Sequence, residues 1–412
     1  MFDRPSRQNK FWSWAYVILW TGVIFVTIPF VREVVVYVSG QWGGEAFTYI
    51  VTSVVILVSV ATVALLLKRR QTSVARFAWL LCIAGFVVYQ TFELKAGSPA
   101  EAIHFLQYGI LSLLLYRAFT HRVRDYSIYA AATILGTIIG MIDETIQWLT
   151  PGRHFGLRDI WLNFTAVALV QAALAAGIRP KIVSGWPDAA SLQRLCHLGA
   201  VAVAYLGLCC LNTPDRIAWY TARIPLLDFI DKNSVMVQYG YVHGNGTNFL
   251  FRSRLTAEEL RRLARERAKE GAPILDRYRD LEQYREFLGI YTPVTDPFLY
   301  EARVHLHFRD LNLELTRNAE GAERQRVFTH AYGQNRILED YFGELLHASS
   351  YSWPAELTAE IRENVPIDWS YESWPGHDLI TAYNQQHVFW FFVSALLGLF
   401  LLGGHFGRRA HG

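Results

Sequence analysis

Asp143, Glu144 and Gln147 close an apolar run. The chain then reads Pro151-Gly152-Arg153-His154, Arg158-Asp159 and, four residues on, Asn163. Glu144 and Gln147 are three residues apart and Asp143 and Gln147 four, so a helix presents all three near one face. Gly136 and Gly140 continue that face as a stripe of small residues, which lets a second helix approach closely and turns the polar groups into a bundle. Asp159 falls in the first turn of the next apolar run, where negative charge suits the helix dipole, and Asn163 sits one turn deeper. Glu101, His104 and Tyr108, at spacings of three and four, share a face of a third helix, and Glu93 ends the run before it.

This set of side chains supports two kinds of role. Arg153 and Arg158 offer planar, permanently charged forks suited to phosphate or carboxylate. Glu144, Gln147, Asp159, Asn163, His104 and Asp143 would complete such a binding site, and Glu144, His104 or Asp159 could move a proton. Alternatively, Arg153, Glu144 and Asp159 form an ion-pair network that clips helices together, since charges are tolerated inside a membrane bundle only when paired. No metal-ligand spacing is present, and neither a metal nor another cofactor is expected.

The elements that must position these groups are membrane helices. Of 412 residues, 52% are hydrophobic and 18% charged, below the quarter usual for soluble domains. A net charge of +3 gives no argument for nucleic acid as a partner. Eight apolar stretches approach the roughly 20 residues a span needs: about 11–30, 47–67, 77–92, 102–118, 128–149, 160–178, 195–211 and 388–402. Trp12, Trp14, Trp42, Tyr49, Trp148 and Trp161 flank them as interfacial aromatics do. The first run lacks a small-residue cleavage site and reads as an uncleaved anchor.

One set of connections carries Arg4, Arg7 and Lys10, then Lys68, Arg69, Arg70 and Arg76, then Arg122 and Arg124, then Arg179 and Lys181, then Arg408 and Arg409. The other set holds only Arg32, Lys95, Arg153 and Arg158. The positive-inside rule then predicts both termini in the cytoplasm and residues 212–385 outside. Arg153 and Arg158 oppose that bias, so each is expected to have a specific partner.

The motif Asp143-Glu144-x-x-Gln147, Pro151-Gly152-Arg153 and Arg158-Asp159-x-x-x-Asn163, preceded by His104, resembles the VanZ-like family of bacterial membrane proteins over about residues 77–178. Two positions depart from the family pattern: Glu101 stands where a lysine is frequent, and Ala166 where a glycine is. The resemblance implies a bacterial inner-membrane protein of the cell envelope, connected in the family's founding member with glycopeptide (teicoplanin) resistance. Its implied partner is an anionic lipid or lipid-linked envelope precursor.

The full expectation is an all-α polytopic membrane bundle (residues 1–211), an inserted α+β extracytoplasmic domain (212–385) able to dock a protein partner, and a terminal membrane helix with a short tail (386–412). Within the inserted domain, 236–243 and 248–254 read as strands around the His243-Gly-Asn-Gly246 turn. Thr256-Ala-Glu-Glu259 reads as a capping box opening a helix to about Gly271, with further helices over 276–289 and 335–347. Residues 300–308 alternate Glu301, Arg303, His305 and His307 with apolar residues, predicting a strand with His305 and His307 on one polar face. Trp353-Pro354 and Trp374-Pro375 mark extended segments or turns.

Overall fold

The protein is described by a computed structural model covering residues 9–68, 70, 73–95, 99–150, 153, 155–227, 229–230, 236–244, 246, 248–373 and 380–411. Pro151, Gly152, His154 and the Trp374-Pro375 pair lie outside these residues. The chain divides into two compact units, Met1–Leu208 with Trp390–Gly412, and Cys209–Phe389.

In the first unit, Asn9 caps α1 (Lys10–Thr27), its side chain accepting from the Phe11 N–H at 3.3 Å. A 3-10 turn over Ile28–Phe30 then leads into α2 (Val31–Trp42). The sequence reading treats the stretch after residue 30 as a connection. It stays helical because Pro29 falls at the start of the turn, where a missing N–H is tolerated. There follow α3 (Ala46–Lys68), α4 (Val74–Lys95), α5 (Ile103–Phe119), α6 (Ser127–Leu149), α7 (Leu157–Ala172) with a π-helical turn over Ala173–Ile178, and α8 (Ala189–Leu211). With the C-terminal helix Gln385–His411, seven helical segments among the described residues are long and apolar enough to cross a membrane; α5, at 17 residues, is a shorter apolar helix.

Helices α5, α6 and α7 pack on one another, α1 lies against α5, and α3 pairs with α4. Close approach of α6 to α7 runs through the predicted glycine stripe. A Cβ on Gly136 would come within 2.9 Å of Val167, and one on Gly140 within 2.9 Å of Asn163. Polar bonds join α5 to α7: Ser112 Oγ donates to the Val167 carbonyl at 3.0 Å, and Gln171 Nε2 donates to Ser112 Oγ at 2.8 Å. Inside a bilayer such bonds and small-residue contacts associate helices, because lipid tails remove the hydrophobic drive between them.

The second unit is mostly helical with two small sheets. Residues 236–243 do not form one strand. They split at Gly240 into β1 (Gln238–Tyr239) and β2 (Tyr241–Gly244), which belong to different sheets. Strand β2 pairs antiparallel with β3 (Phe249–Ser253), β3 runs parallel to β4 (Tyr371–Glu372), and β1 runs parallel to β5 (Ile380–Thr381). Gly246, at φ +77°, supplies the left-handed backbone of the turn between β2 and β3.

The capping box forms as read: Glu259 N donates to Thr256 Oγ1 at 3.2 Å and Thr256 N to Glu259 Oε2 at 2.8 Å. Its helix α10 (Ala257–Glu266) breaks at Arg267 and resumes as α11 (Ala268–Arg277), then α12 (Leu281–Ile290). The helix expected to run to about Gly271 is therefore broken in two, and the one expected over 276–289 is α12, which starts five residues later.

Residues 300–308 are not a strand. They lie inside α13 (Pro297–Leu315), capped by Asp296, whose side chain accepts from the Leu299 N–H at 3.1 Å. Phe298, Glu301, Ala302, His305, Leu306 and Arg309 recur at three- and four-residue spacing and are all buried. The buried face thus contains charged residues, so apolar positions alone show a false period of two. His305 and His307 consequently part: His305 Nδ1 pairs with Gln334 Oε1 of α14 (Gly321–Ala348) at 2.7 Å, while the His307 ring stacks on Tyr284 at 4.2 Å. The two-histidine strand face is removed, and among the described residues no group of three or more His, Cys, Asp or Glu could hold a metal.

Burial of His305 pushes its pKa down to about 4. A folded-state pKa below the unfolded value contributes stability above the unfolded pKa, near 6.5, and loses it as pH falls through the folded one. Between pH 7 and pH 4 this histidine therefore withdraws up to about 3 kcal/mol from the second unit. His305→Gln should flatten that slope in thermal unfolding of the purified protein. An unchanged slope would show that other groups set the acid sensitivity.

Candidate functional site

Three helix ends build the site. The C-terminal part of α6 carries Asp143, Glu144 and Gln147, α5 opens with His104 and Tyr108, and α7 carries Asp159 and Asn163. Four-residue spacing aligns His104, Tyr108 and Ser112 on α5 and Asn163, Val167 and Gln171 on α7, so the Ser112–Gln171 bond deep in the bundle registers the two stripes. Ser112 and Gln171 did not enter the sequence-derived set. Their continuation of the polar spacing was the signal that could have found them.

The cluster has two halves. In the first, Glu144 and Gln147 are engaged through both of their polar ends. Glu144, fully buried, accepts from Gln147 Nε2 at 2.8 Å through one oxygen and from the Gly156 N–H at 3.0 Å through the other. Arg153 in turn donates through Nη2 to Gln147 Oε1. Glu144 thus ties α6 to the segment that enters α7, and Arg153 is tied to it through an amide and not by a direct carboxylate pair. Asp159 packs on the same segment, since a Cβ on Gly156 would meet its Oδ2 at 2.9 Å. At the rim, exposed Arg158 reaches Glu101 at 3.6 Å, an ion pair of little energetic weight. Glu93 is exposed on α4.

The second half is open. Tyr108 donates to Asp143 Oδ2 at 2.9 Å, and Oδ1 of the same carboxylate is buried without a hydrogen-bond partner among the described residues. Likewise His104 Nδ1 and both side-chain atoms of Asn163 are buried with no hydrogen bond of good geometry among the described residues, although the Asn163 amide is within bonding reach of the His104 ring. The His104 ring lies within electrostatic reach of Asp143, Glu101 and Arg153 and alongside Asn163, and it stacks on Tyr108 with centroids 6.1 Å apart. A buried polar group left unpaired costs about 1–3 kcal/mol. One imidazole nitrogen and the three such atoms of Asp143 and Asn163 near it mark a place that a guest with both donors and acceptors would satisfy.

Both oxygens of Glu144 accept bonds from neighbouring groups. Of the three proton-handling candidates, His104 is the one whose Nδ1 is buried with no bond of good geometry among the described residues.

Residues 12–176 match the VanZ/LLP1 family model. This part of the chain is VanZ-like. The match begins well before the motif-bearing stretch at 77–178, so α1 to α4 belong to the VanZ-like region together with the helices that carry the cluster. No curated protein and no solved structure matches the chain. Apolar helices and the VanZ-like region together make this a membrane protein.

Proposed function

We propose that the α5–α7 cluster is the head-group site of an anionic, phosphate-bearing membrane lipid or lipid-linked envelope precursor, on the extracytoplasmic side of a bacterial inner membrane. The unpaired atoms of His104, Asp143 and Asn163 beside Arg153 carry this reading. Arg153, the Asn163 amide and a protonated His104 nitrogen are donors to phosphate oxygens. The Asp143 and Asn163 oxygens are acceptors, so the ligand must also carry a hydroxyl, on the phosphate or on the head group. The side of the membrane follows from the Lys and Arg distribution, which also puts residues 212–385 outside, where they can dock a partner. Altered susceptibility to glycopeptide antibiotics is the cellular readout suggested by the family.

A second reading has its own support. The fully engaged bonds of Glu144 fit a structural clip, and a non-enzymatic accessory protein needs nothing more. Arg153→Gln separates the two. Head-group binding predicts normal membrane abundance with about tenfold weaker retention of phosphatidylglycerol by the purified protein, the equivalent of one lost charge-assisted bond. Loss of the protein from the membrane would assign Arg153 to the clip. Normal abundance with unchanged retention would remove it from the site.

A further inference from the structure

A cavity of about 470 Å³, open along one side where Val58 and Ile110 are exposed, lies in the membrane unit between α3, α4, α5 and α7. Its lining is apolar apart from Ser59 and Thr62, and runs from Phe105 and Ala166 at one end to Ile178 at the other. The upper end adjoins the polar cluster along α5 and α7, through residues that neighbour the cluster's own in sequence. Phe105 follows His104, Gly109 follows Tyr108, and Ala166 lies one helical turn beyond Asn163. A site with a polar head and an apolar slot directly below it matches an amphipathic guest.

Length selects which guest. From Asn163 to Ile178 is fifteen residues, roughly 22 Å at about 1.5 Å per helical residue, whereas half of a ~30 Å hydrocarbon core is about 15 Å. A chain anchored at the cluster and filling the slot therefore passes the bilayer midplane, where the acyl chains of an outer-leaflet phospholipid end. One slot beside one head site also accommodates a single chain better than a pair.

We infer that the cavity between α3, α4, α5 and α7 holds the hydrocarbon tail of a single-chain, long isoprenoid phosphate whose head group sits at Arg153, His104 and Asn163. This rests on the head-group reading above. Moving a tail from bilayer to an apolar slot brings no hydrophobic gain, because lipid is equally apolar. The slot acts through packing, so it selects among lipids whose affinity comes from the polar cluster.

The test uses the full-length protein in detergent and three probes: undecaprenyl monophosphate, farnesyl monophosphate and dioleoyl phosphatidic acid. Retention is scored by native mass spectrometry. Ala84 of α4 and Ala173 of the π-helical turn after α7 both line the slot, Ala173 ten residues beyond Asn163. Ala84→Phe and Ala173→Phe, made separately, should each lower undecaprenyl phosphate retention about fivefold, a loss on the scale of a few dispersion contacts, while leaving farnesyl phosphate unchanged. Arg153→Gln should weaken both. If Arg153→Gln weakens undecaprenyl phosphate but neither slot variant does, the tail inference falls and the head-group reading stands. If the slot variants act and Arg153→Gln does not, the head-group reading fails, and with it this assignment. Retention of dioleoyl phosphatidic acid equal to undecaprenyl phosphate, with the same sensitivity to Ala84→Phe, would overturn the single long chain.

Discussion

Gly140→Leu should leave no folded membrane unit. A Cβ at Gly140 would stand 2.9 Å from Asn163 Cβ and 3.2 Å from its Nδ2, so even an alanine forces α6 and α7 apart. Gly140→Ala should cost about 1–3 kcal/mol, the range for overpacking a close contact, and the branched side chain more than the interface can absorb. The same displacement pulls Asn163 from His104 and stretches the Gly156–Glu144 bond at the α7 entrance, so packing and site fail together. Gly85, whose Cβ would have nothing within 4 Å, is the control, and Gly85→Ala should be silent. Membrane abundance and thermal unfolding in detergent measure both. A folded, normally abundant Gly140→Leu protein would mean that α6 and α7 do not pack through this stripe.

That glycine stripe was legible because its cause is local. Small residues four apart on an apolar helix have one efficient use in a bilayer, and the polar residues that extend the stripe must follow it inward. The positions of the long apolar helices were legible for the same reason, since hydropathy is summed along the chain and needs no tertiary knowledge. The division of the cluster was not. Which carboxylate is satisfied depends on the Gly156 N–H arriving at Glu144 from twelve residues away, and no spacing rule encodes that arrival. Asp143, adjacent in sequence, is the acid left with an open oxygen.

Helix α13 shows a different failure. Its core-facing stripe includes Glu301, Arg303, His305 and Arg309, each paid for by bonds that only the folded unit supplies. Glu301 accepts from Ser253 Oγ at 2.5 Å and the Arg254 N–H at 3.0 Å. Arg303 caps the carbonyls of Tyr278 and Arg279 at the end of α11, and Arg309, 2% exposed, bonds Asn335 at 3.1 Å and the Tyr351 carbonyl at 2.9 Å. Periodicity arguments assume that charge points outward. Where long-range hydrogen bonds bury it, the apolar residues that remain visible trace the wrong period.

Glu144→Ala is expected to destabilise the membrane unit by about 2–5 kcal/mol, because the Gly156 N–H and the Gln147 amide each lose their acceptor inside the bundle. Part of this is offset, since a buried carboxylate no longer has to be desolvated. Glu144→Gln keeps one oxygen for the Gly156 N–H but sets an amide NH2 against the Gln147 Nε2 donor, and should cost about 1–3 kcal/mol, the range for a buried donor left unpaired. If Glu144 belongs to the clip, Glu144→Gln retains phosphatidylglycerol like the parent protein, whereas Asn163→Ala, which deletes two buried polar atoms whose one protein neighbour is the His104 ring, loses retention with little change in stability. Detergent thermal unfolding and lipid retention on the same preparations decide it. Strong loss of retention in Glu144→Gln at normal stability would move Glu144 from the clip into the binding set. Full retention in Asn163→Ala would show that the open half of the cluster does not face the ligand.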